Sequence, residues 1–286
     1  MSQVVIAGCG YVGNALATML LEEGHEVYGI RRNVEALADG VRAIPGDVSK
    51  PAALGPAPAR VEYAVFALGA DASTEQAYRR AYLDGLAGFL EWLKNEGQRP
   101  KRIVMTSSTS VYGQRRGEPI DEASPTHPTS FRGETMLASE GLLASGGIRS
   151  VVVRLGGIYG PGRTGLIDRA RRGELRLRPS EHYTNRIHLD DAAGLVRHLL
   201  FHPDPESLYL GVDDHSAEEA EVYRWLAKEL GVDPPEPGEE NPDPRRRGVG
   251  SKRCSNRRAR ESGYRFRYPT YREGYGSLIR AAAAER

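Results

Sequence analysis

The chain has 286 residues, a formal net charge of +1 at pH 7 and 40% hydrophobic residues. This length suits one large α/β domain, or one domain with a smaller lobe. The balanced charge argues against nucleic acid or a membrane surface as a partner. The two cysteines, Cys9 and Cys254, predict a reduced, cytoplasmic protein without a disulfide framework. We expect no signal peptide, because the first predicted strand already begins at residue 3, and no membrane span, because no apolar run approaches about 18 residues.

The first thirty residues predict a strand, a glycine-rich turn, a helix and a second strand. Residues 4–7 form a continuous apolar run that suits a short buried strand. Gly8, Gly10 and Gly13 follow in the spacing G-x-G-x-x-G, and residues 27–30 supply the second strand after a stretch of helical periodicity. The motif therefore lies inside a βαβ unit, the context in which it indicates dinucleotide binding.

Each residue of this loop has a physical reason to contact a dinucleotide. Gly8 permits a tight turn, Gly10 lets the backbone approach a pyrophosphate, and Gly13 lets the helix pack closely against the strand. Tyr11 and Val12 open the helix, whose unpaired N–H groups and positive dipole end attract phosphates. An ordinary glycine-rich turn is the alternative, and the flanking strand and helix favour nucleotide binding over it.

The end of the second strand bears on the choice of dinucleotide. Proteins that bind NAD usually place Asp or Glu about twenty residues after the glycines, where it holds the ribose 2′-OH. This chain has Arg31 and Arg32 there and no acidic residue. An arginine can pair with a 2′-phosphate and stack on adenine. The sequence therefore predicts NADP rather than NAD, with two solvated arginines as the alternative.

Strands and helices alternate along much of the remaining chain. The predicted strands are residues 41–48, 63–70, 102–106, 150–155 and 208–212, and the predicted helices are residues 75–95, 130–145, 166–173, 192–201 and 217–230. This alternation predicts an α/β fold, a Rossmann-like doubly wound parallel sheet with a small C-terminal substrate lobe. We expect an NAD(P)-binding domain over residues 1–160 and the lobe over residues 161–286, with about 185–212 returning to the sheet.

Ligands of such sheets bind beyond the carboxyl ends of the strands. The cofactor contacts expected there are Asp47, Val48, Ala67, Leu68, Gly69 and Thr106. Asp47 is placed to meet an adenine edge, and the small residues after the fourth strand let a cofactor lie close to the backbone. The fifth predicted strand runs into the hydroxyl-rich residues 107–113, which are well placed for chemistry.

Several segments together resemble the extended short-chain dehydrogenase/reductase family, also called the NAD-dependent epimerase/dehydratase family. They are the glycine loop and residues 46–48, 106–113, 128–140, 154–163 and 188–192, in the family's order. The resemblance spans roughly residues 3–195 and implies that Gly157 and Ile158 also contact the cofactor. The glycine spacing differs from the family's usual G-x-x-G-x-x-G, which points to an atypical subgroup. Because family members often pair through the helices of residues 75–95 and 130–145, a homodimer is one expectation.

The resemblance also identifies candidate catalytic residues. The family uses a Ser or Thr to polarise the substrate oxygen, a Tyr to transfer a proton, and a Lys that lowers the Tyr pKa. Ser108, four residues before Tyr112, matches the Ser position. The segment of residues 128–140 places Arg132 at the Tyr position and Met136 at the Lys position. The usual mechanism cannot operate on these residues, since Arg keeps its proton up to about pH 12 and Met has no acid–base chemistry.

Arg132 therefore has two interpretations, as a ligand of a carboxylate or phosphate or as a solvated helix residue. We take Ser108, Tyr112 and Arg132 as the candidate catalytic residues. Tyr112, Tyr159, Tyr183 and Glu134 are substitute proton donors whose geometry the sequence does not define. No metal site is predicted, because the His198 and His202 pair lacks an evident third ligand.

The C-terminal basic segment, residues 245–267, contains nine arginines and one lysine. It has three interpretations: recognition of an anionic substrate, binding of nucleic acid, or a solvated arginine-rich face. No aromatic interleaving supports nucleic acid. We therefore expect a small-molecule substrate, with an anionic one as an alternative, and neither nucleic acid nor a membrane as a partner.

Three functional hypotheses remain. The first is an NADP-dependent oxidoreductase or epimerase-like enzyme whose active site departs from the family pattern. The second is a dinucleotide-binding regulator or scaffold without turnover, which Arg132 and Met136 favour. The third is non-redox chemistry, such as a lyase or hydrolase reaction.

Overall fold

The computed structural model describes residues 1–238 and 250–284. The strands are β1 (Gln3–Ala7), β2 (Glu26–Arg31), β3 (Arg42–Pro45), β4 (Tyr63–Phe66), β5 (Arg102–Ser108), β6 (Glu118–Ile120), β7 (Ser150–Leu155), β8 (Gly157–Tyr159), β9 (Arg176–Leu177), β10 (Tyr183–Thr184), β11 (Arg186–His188), β12 (Leu208–Gly211), β13 (Ala217–Glu218), β14 (Glu236–Pro237) and β15 (Lys252–Cys254). The α-helices are α1 (Tyr11–Glu22), α2 (Glu75–Tyr78), α3 (Gly85–Asn95), α4 (Phe131–Ser145), α5 (Gly165–Arg171), α6 (Leu189–Phe201), α7 (Glu219–Leu230), α8 (Arg257–Glu261) and α9 (Tyr271–Ala284).

A seven-stranded parallel sheet with the order β12-β7-β5-β4-β1-β2-β3 organises the fold. Its interior strand β1 pairs in parallel with β2 on one side and with β4 on the other. Val4, Val5 and Ile6 of β1 are fully buried, as expected for a strand covered on both faces. This architecture confirms the predicted Rossmann-like α/β fold.

The chain divides into two compact units. The first comprises residues 1–111, 128–154 and 193–209, and the second comprises residues 112–127, 155–192 and 210–286. The second unit contains short strand pairs, β8 with β11, β6 with β15, β9 with β14, and β10 with β13. Its core packs α5, α7 and α9 around aromatic and aliphatic side chains such as Tyr159, Leu226 and Tyr271.

Local signals account for several helix ends. α1 is followed by Gly24, whose φ of +79° suits glycine, and α4 begins after Ser130, whose Oγ accepts a hydrogen bond from the Gly133 N–H at 3.4 Å. The predicted helix of residues 75–95 is instead interrupted by a π-helical turn at Arg79–Asp84. Such turns occur often at functional sites, and Arg80 and Ala81 of this one line a cavity described below.

In the described part of the chain, none of the helices combines the length and the apolar character needed to cross a membrane.

Candidate functional site

A cavity of about 510 Å³ opens at the carboxyl ends of β1, β2, β3 and β4 in the first unit. The predicted cofactor residues in its lining are Gly8, Gly10, Arg31, Arg32, Asp47, Val48, Ala67, Leu68 and Gly69. The cavity is also lined by four residues that no sequence motif marks, Asp71, Thr74, Gln76 and Arg80. These four follow β4 along the chain and lie beyond Gly69, the last contact predicted after this strand.

The glycines of the loop allow close backbone packing next to this cavity. A Cβ on Gly8, whose φ is +97°, would lie 2.6 Å from the Leu68 backbone nitrogen, and one on Gly13 would lie 2.2 Å from the Gly8 carbonyl oxygen. Gly10 has no atom within 4 Å of the place where its Cβ would be, so this side of the loop is open. Because Gly10 also precedes α1 without any side-chain cap, the loop presents unshielded backbone N–H groups to an anion. These features fit a dinucleotide pyrophosphate.

Arg31 lies across the loop at the end of β2. Its Nη1 donates hydrogen bonds to the carbonyl oxygens of Cys9 and Ala36, the second at 3.0 Å. Among the residues that the structure describes, it has no carboxylate partner within ion-pair distance. Arg31 therefore contributes a positive charge to the cavity that no acidic side chain neutralises.

Two ion pairs neutralise the other charged residues of the lining. Nη1 of Arg32 lies 3.0 Å from Oδ2 of Asp71, and Nη2 of Arg80 lies 2.6 Å from Oδ2 of Asp47. Burial alone would raise the pKa of Asp47, but hydrogen bonds from Ser49 and Arg80 outweigh it and lower that pKa. Both carboxylates are therefore ionised at neutral pH, and Arg31 leaves a net charge of one positive unit.

The remaining predicted cofactor residues lie outside the lining of this cavity. Tyr11, Val12 and Gly13 belong to the first turn of α1, behind the loop. Thr106 lies in β5, where its Oγ1 donates to the Phe66 carbonyl at 3.4 Å. In the second unit, β8 carries the predicted pair Gly157 and Ile158, which stand in register with Arg186 and Ile187 of β11.

The candidate catalytic hydroxyl groups differ in their hydrogen bonds. Ser108 ends β5, and its Oγ accepts from the Ser110 N–H at 3.1 Å, which leaves its own proton available for donation. Tyr112 belongs to the second unit and is buried, and its hydroxyl group donates to the Asp121 carbonyl at 3.0 Å. The Tyr112 proton is thus held by the protein itself.

Arg132 lies in the first turn of α4 against aromatic rings. Its guanidinium carbon is 5.8 Å from the ring centre of Tyr78 and 5.5 Å from that of Phe131. Within the described residues its buried Nε has no hydrogen-bond partner. The next residue, Gly133, closely approaches the turn that follows β5, since a Cβ there would lie 2.3 Å from the Ser110 carbonyl oxygen. This contact holds the start of α4 at the carboxyl end of β5, where ligands of such sheets bind.

A buried ion pair fixes the same helix further along. Glu140 of α4 and Arg154 of β7 are joined at 2.6 Å, with side chains 9% and 7% exposed. Ser107 of β5 donates its hydroxyl hydrogen bond to the same carboxylate. In the sequence, Glu140 was used only to align residues 128–140 with the corresponding segment of the family. Its role in joining β5, α4 and β7 depends on residues far apart in the chain.

Comparison with known proteins agrees with this geometry. The family model of the NAD dependent epimerase/dehydratase family matches residues 4–208. The chain belongs to this family. A solved protein from Methylobacillus flagellatus, described as an NAD-dependent epimerase/dehydratase, is 33% identical with a TM-score of 0.81 over 99% of each chain.

Two further relatives extend the comparison. Protein YeeZ of Escherichia coli K12 is 31% identical over 171 residues, so the match spans 59% of this chain and 59% of YeeZ. The human epimerase family protein SDR39U1, solved with NADPH, is 22% identical with a TM-score of 0.78, over 95% of this chain and 97% of its own. At this identity the human protein shows the shared fold alone.

Within this epimerase/dehydratase chain, the other proton-donor candidates have different environments. Burial raises the pKa of Tyr159 well above its usual value, which makes it a poor acid. Arg253 stacks over the Tyr183 ring at 5.3 Å. Glu134 is exposed to solvent in the first turn of α4. Of these, Glu134 is exposed and lies on the same helix as Arg132.

In the described part of the C-terminal basic segment, the basic side chains contact other residues of the second unit. Arg245, Arg246 and Arg247 lie outside the described residues. The contacts of the others are Lys252 with the Tyr112 carbonyl, Arg253 with the Gly117 carbonyl, Arg257 with Glu261, Arg258 with Glu122, Arg260 with Asp214, Arg265 with the carbonyls of Arg260 and Tyr264, and Arg267 with Asp190. These contacts give the described part of the segment a structural role.

Proposed function

We propose that this chain is an NADP(H)-dependent oxidoreductase or epimerase-like enzyme of the epimerase/dehydratase family. The observation that carries the cofactor assignment is Arg31, a cavity arginine whose hydrogen-bond partners are backbone carbonyls. A ribose 2′-phosphate would add the anion that this charge lacks, through paired hydrogen bonds to the guanidinium group. The human protein of the same fold was solved with NADPH and a Thermus thermophilus UDP-glucose 4-epimerase with NAD, so the fold accommodates either cofactor and the proposal depends on Arg31.

The proposed cofactor position follows from the strand ends. The loop of Gly8, Gly10 and Gly13 would hold the pyrophosphate, and the cavity beside Arg31 would hold the adenosine and its 2′-phosphate. Thr106, Gly157 and Ile158 stay proposed contacts of the rest of the cofactor. Bound NADPH would supply a hydride to the substrate.

Arg132 and Ser108 carry the proposed chemistry at the substrate. In this reading Arg132 takes the place of the family's Tyr and Met136 the place of its Lys. Ser108 would donate a hydrogen bond to a carbonyl oxygen of a small-molecule substrate, and Arg132 would stabilise negative charge on the substrate. Since arginine side chains are not proton donors near neutral pH, the proton that completes a reduction would come from water or from another side chain such as Glu134.

A second candidate function is an NADP-binding regulator without turnover. Met136 favours it, because this side chain is 3% exposed and packs as an ordinary core residue where the family has its Lys. The cofactor cavity would serve either function equally well. The two differ in whether bound NADPH is consumed.

Calorimetric titration with NADPH, NADP, NADH and NAD tests the cofactor assignment. We expect the 2′-phosphorylated forms to bind more tightly, and Arg31→Asp to abolish that preference or reverse it. Arg99→Asp is the matched control, since Arg99 is exposed and does not line the cavity. Binding of none of the four nucleotides would contradict the proposal.

A screen for NADPH oxidation with carbonyl compounds, including anionic ones, then separates enzyme from regulator. Turnover that Ser108→Ala and Arg132→Ala both reduce would support the enzyme. Tight NADPH binding with no turnover on any compound would favour the regulator.

A further inference from the structure

Asp71 and Arg32 form an ion pair in the lining of the cofactor cavity. Arg32 follows β2 and Asp71 follows β4, 39 residues later, and their side chains meet at 3.0 Å. Each side chain is more than half exposed, at 57% for Arg32 and 56% for Asp71. Exposed pairs of this kind contribute little net free energy, so a competing anion can separate them.

The second pair of the cavity is built differently. Asp47 is 21% exposed, and it accepts hydrogen bonds from the Ser49 N–H at 3.0 Å and the Ser49 hydroxyl group at 2.7 Å in addition to Arg80. Asp71 has no hydrogen-bond partner besides Arg32 among the residues that the structure describes. Asp71 is therefore the cavity carboxylate that can release its arginine without breaking other contacts.

We propose that Asp71 is a specificity-determining residue that holds Arg32 in the unliganded site and yields it to the 2′-phosphate of NADP. This inference rests on the proposed NADP-binding function. A phosphate monoester carries nearly two negative charges near neutral pH and offers three acceptor oxygens, against one charge and two oxygens for Asp71. The exchange therefore favours the phosphate, and the released carboxylate stays solvated.

A cofactor without the 2′-phosphate has no charge to offer Arg32. Its ribose hydroxyl group leaves the Arg32–Asp71 pair in place. Asp71 thus lowers the affinity for the 2′-phosphate in two ways. The Arg32–Asp71 ion pair must be separated, and the Asp71 carboxylate repels the phosphate. Removing the carboxylate should tighten binding of 2′-phosphorylated ligands and leave other ligands nearly unchanged.

Adenosine 2′,5′-bisphosphate and adenosine 5′-monophosphate are suitable probes, since they differ by the 2′-phosphate alone. We expect Asp71→Asn and Asp71→Ala to lower the Kd for the bisphosphate by roughly three- to tenfold and the Kd for the monophosphate by less than about twofold. In the Arg32→Gln background, the same substitutions should give a smaller gain, because only the repulsion between Asp71 and the phosphate is then removed. Asp39→Asn removes a negative charge from an exposed residue outside the cavity lining and should change neither Kd.

Three results would overturn the role of Asp71. They are an unchanged bisphosphate Kd in the Asp71 variants, weaker binding of both probes, or an equal gain with and without Arg32. The thermal unfolding temperature of each variant shows that it is folded. Failure of the wild-type chain to prefer the bisphosphate would instead contradict the NADP assignment itself, so the two failures are distinguishable.

Discussion

Two arginine-rich regions of this molecule differ in the groups that their arginines contact, and these contacts determine whether an arginine is available to bind an anion. In the cofactor cavity, Arg31 bonds to backbone carbonyls, and Arg32 holds an exposed carboxylate that can be exchanged. In the described part of the C-terminal basic segment, Arg258 and Arg267 pair with acidic residues of their own unit, and Arg265 bonds to backbone carbonyls as Arg31 does. A count of arginines would rank the segment as the stronger anion site, whereas the cavity places its carbonyl-bonded arginine beside an open glycine loop.

The largest expected effect is a loss of stability on removing the buried carboxylate that pairs with Arg154. Glu140→Ala removes the carboxylate that neutralises Arg154 and leaves a buried charge unpaired. We expect the free energy of unfolding to fall by about 3–5 kcal/mol, measured by urea denaturation. A loss below about 1 kcal/mol would show that water reaches Arg154 and that the pair does not hold α4.

Arg31→Ala should have its main effect on binding. Loss of a charge-assisted contact to the 2′-phosphate is expected to cost about 1.5–3 kcal/mol, or roughly ten- to a hundredfold in the NADPH Kd. NADH affinity and unfolding should change far less, because the hydrogen bonds that Arg31 makes to Cys9 and Ala36 are partly exposed. Equal losses for NADPH and NADH in calorimetry would show that Arg31 only supports the loop.

Asp213 of the second unit is a buried carboxyl group near an arginine, and it should make the stability of the protein depend on pH. Burial raises its pKa to about 8, and the positive charge of Arg186 only partly opposes this. A carboxyl group whose folded pKa lies above its unfolded value stabilises the fold at low pH and loses that contribution as pH rises toward about 8. We expect Asp213→Asn to flatten the decline in stability between about pH 4 and 8, the interval between the two pKa values. A decline of the same steepness in the variant would exclude Asp213 as its cause.

The smallest effect is expected at an exposed residue of the basic segment. Arg260 lies 3.9 Å from Asp214 with 59% of its side chain exposed, so Arg260→Ala should change unfolding by no more than about 1 kcal/mol. The NADPH Kd should not change. A weaker NADPH affinity in this variant would mean that the segment acts on the cofactor site and would break the contrast between the regions.

The sequence predicted the parts of this molecule that depend on neighbouring residues. The strand, glycine loop and helix of the first thirty residues are confirmed, because the turn, the apolar run and the helical period are local signals. The same holds for the family and for the parallel sheet. The strand ends at Asp47 and Ala67 were enough to locate the cavity, since parallel strands carry ligands at one edge.

The difference between Arg31 and Arg32 was not predictable in this way. The two arginines are adjacent and chemically identical, and what distinguishes them is that Asp71 stands opposite one of them in the folded sheet. Lys252 was not predictable either. It lies in a basic run of the sequence, yet it is 4% exposed and donates a hydrogen bond to the Tyr112 carbonyl, 140 residues away in the chain. Long-range partners of this kind follow from packing and leave no pattern in the sequence.

The ratio of the NADH and NADPH dissociation constants of the wild-type chain, in one buffer at low salt, tests the central claim most directly. The charge of Arg31 predicts that NADPH binds at least about tenfold more tightly, with the ratio falling as salt is added. Equal affinities, or tighter binding of NADH, would contradict the assignment of this cavity to NADP.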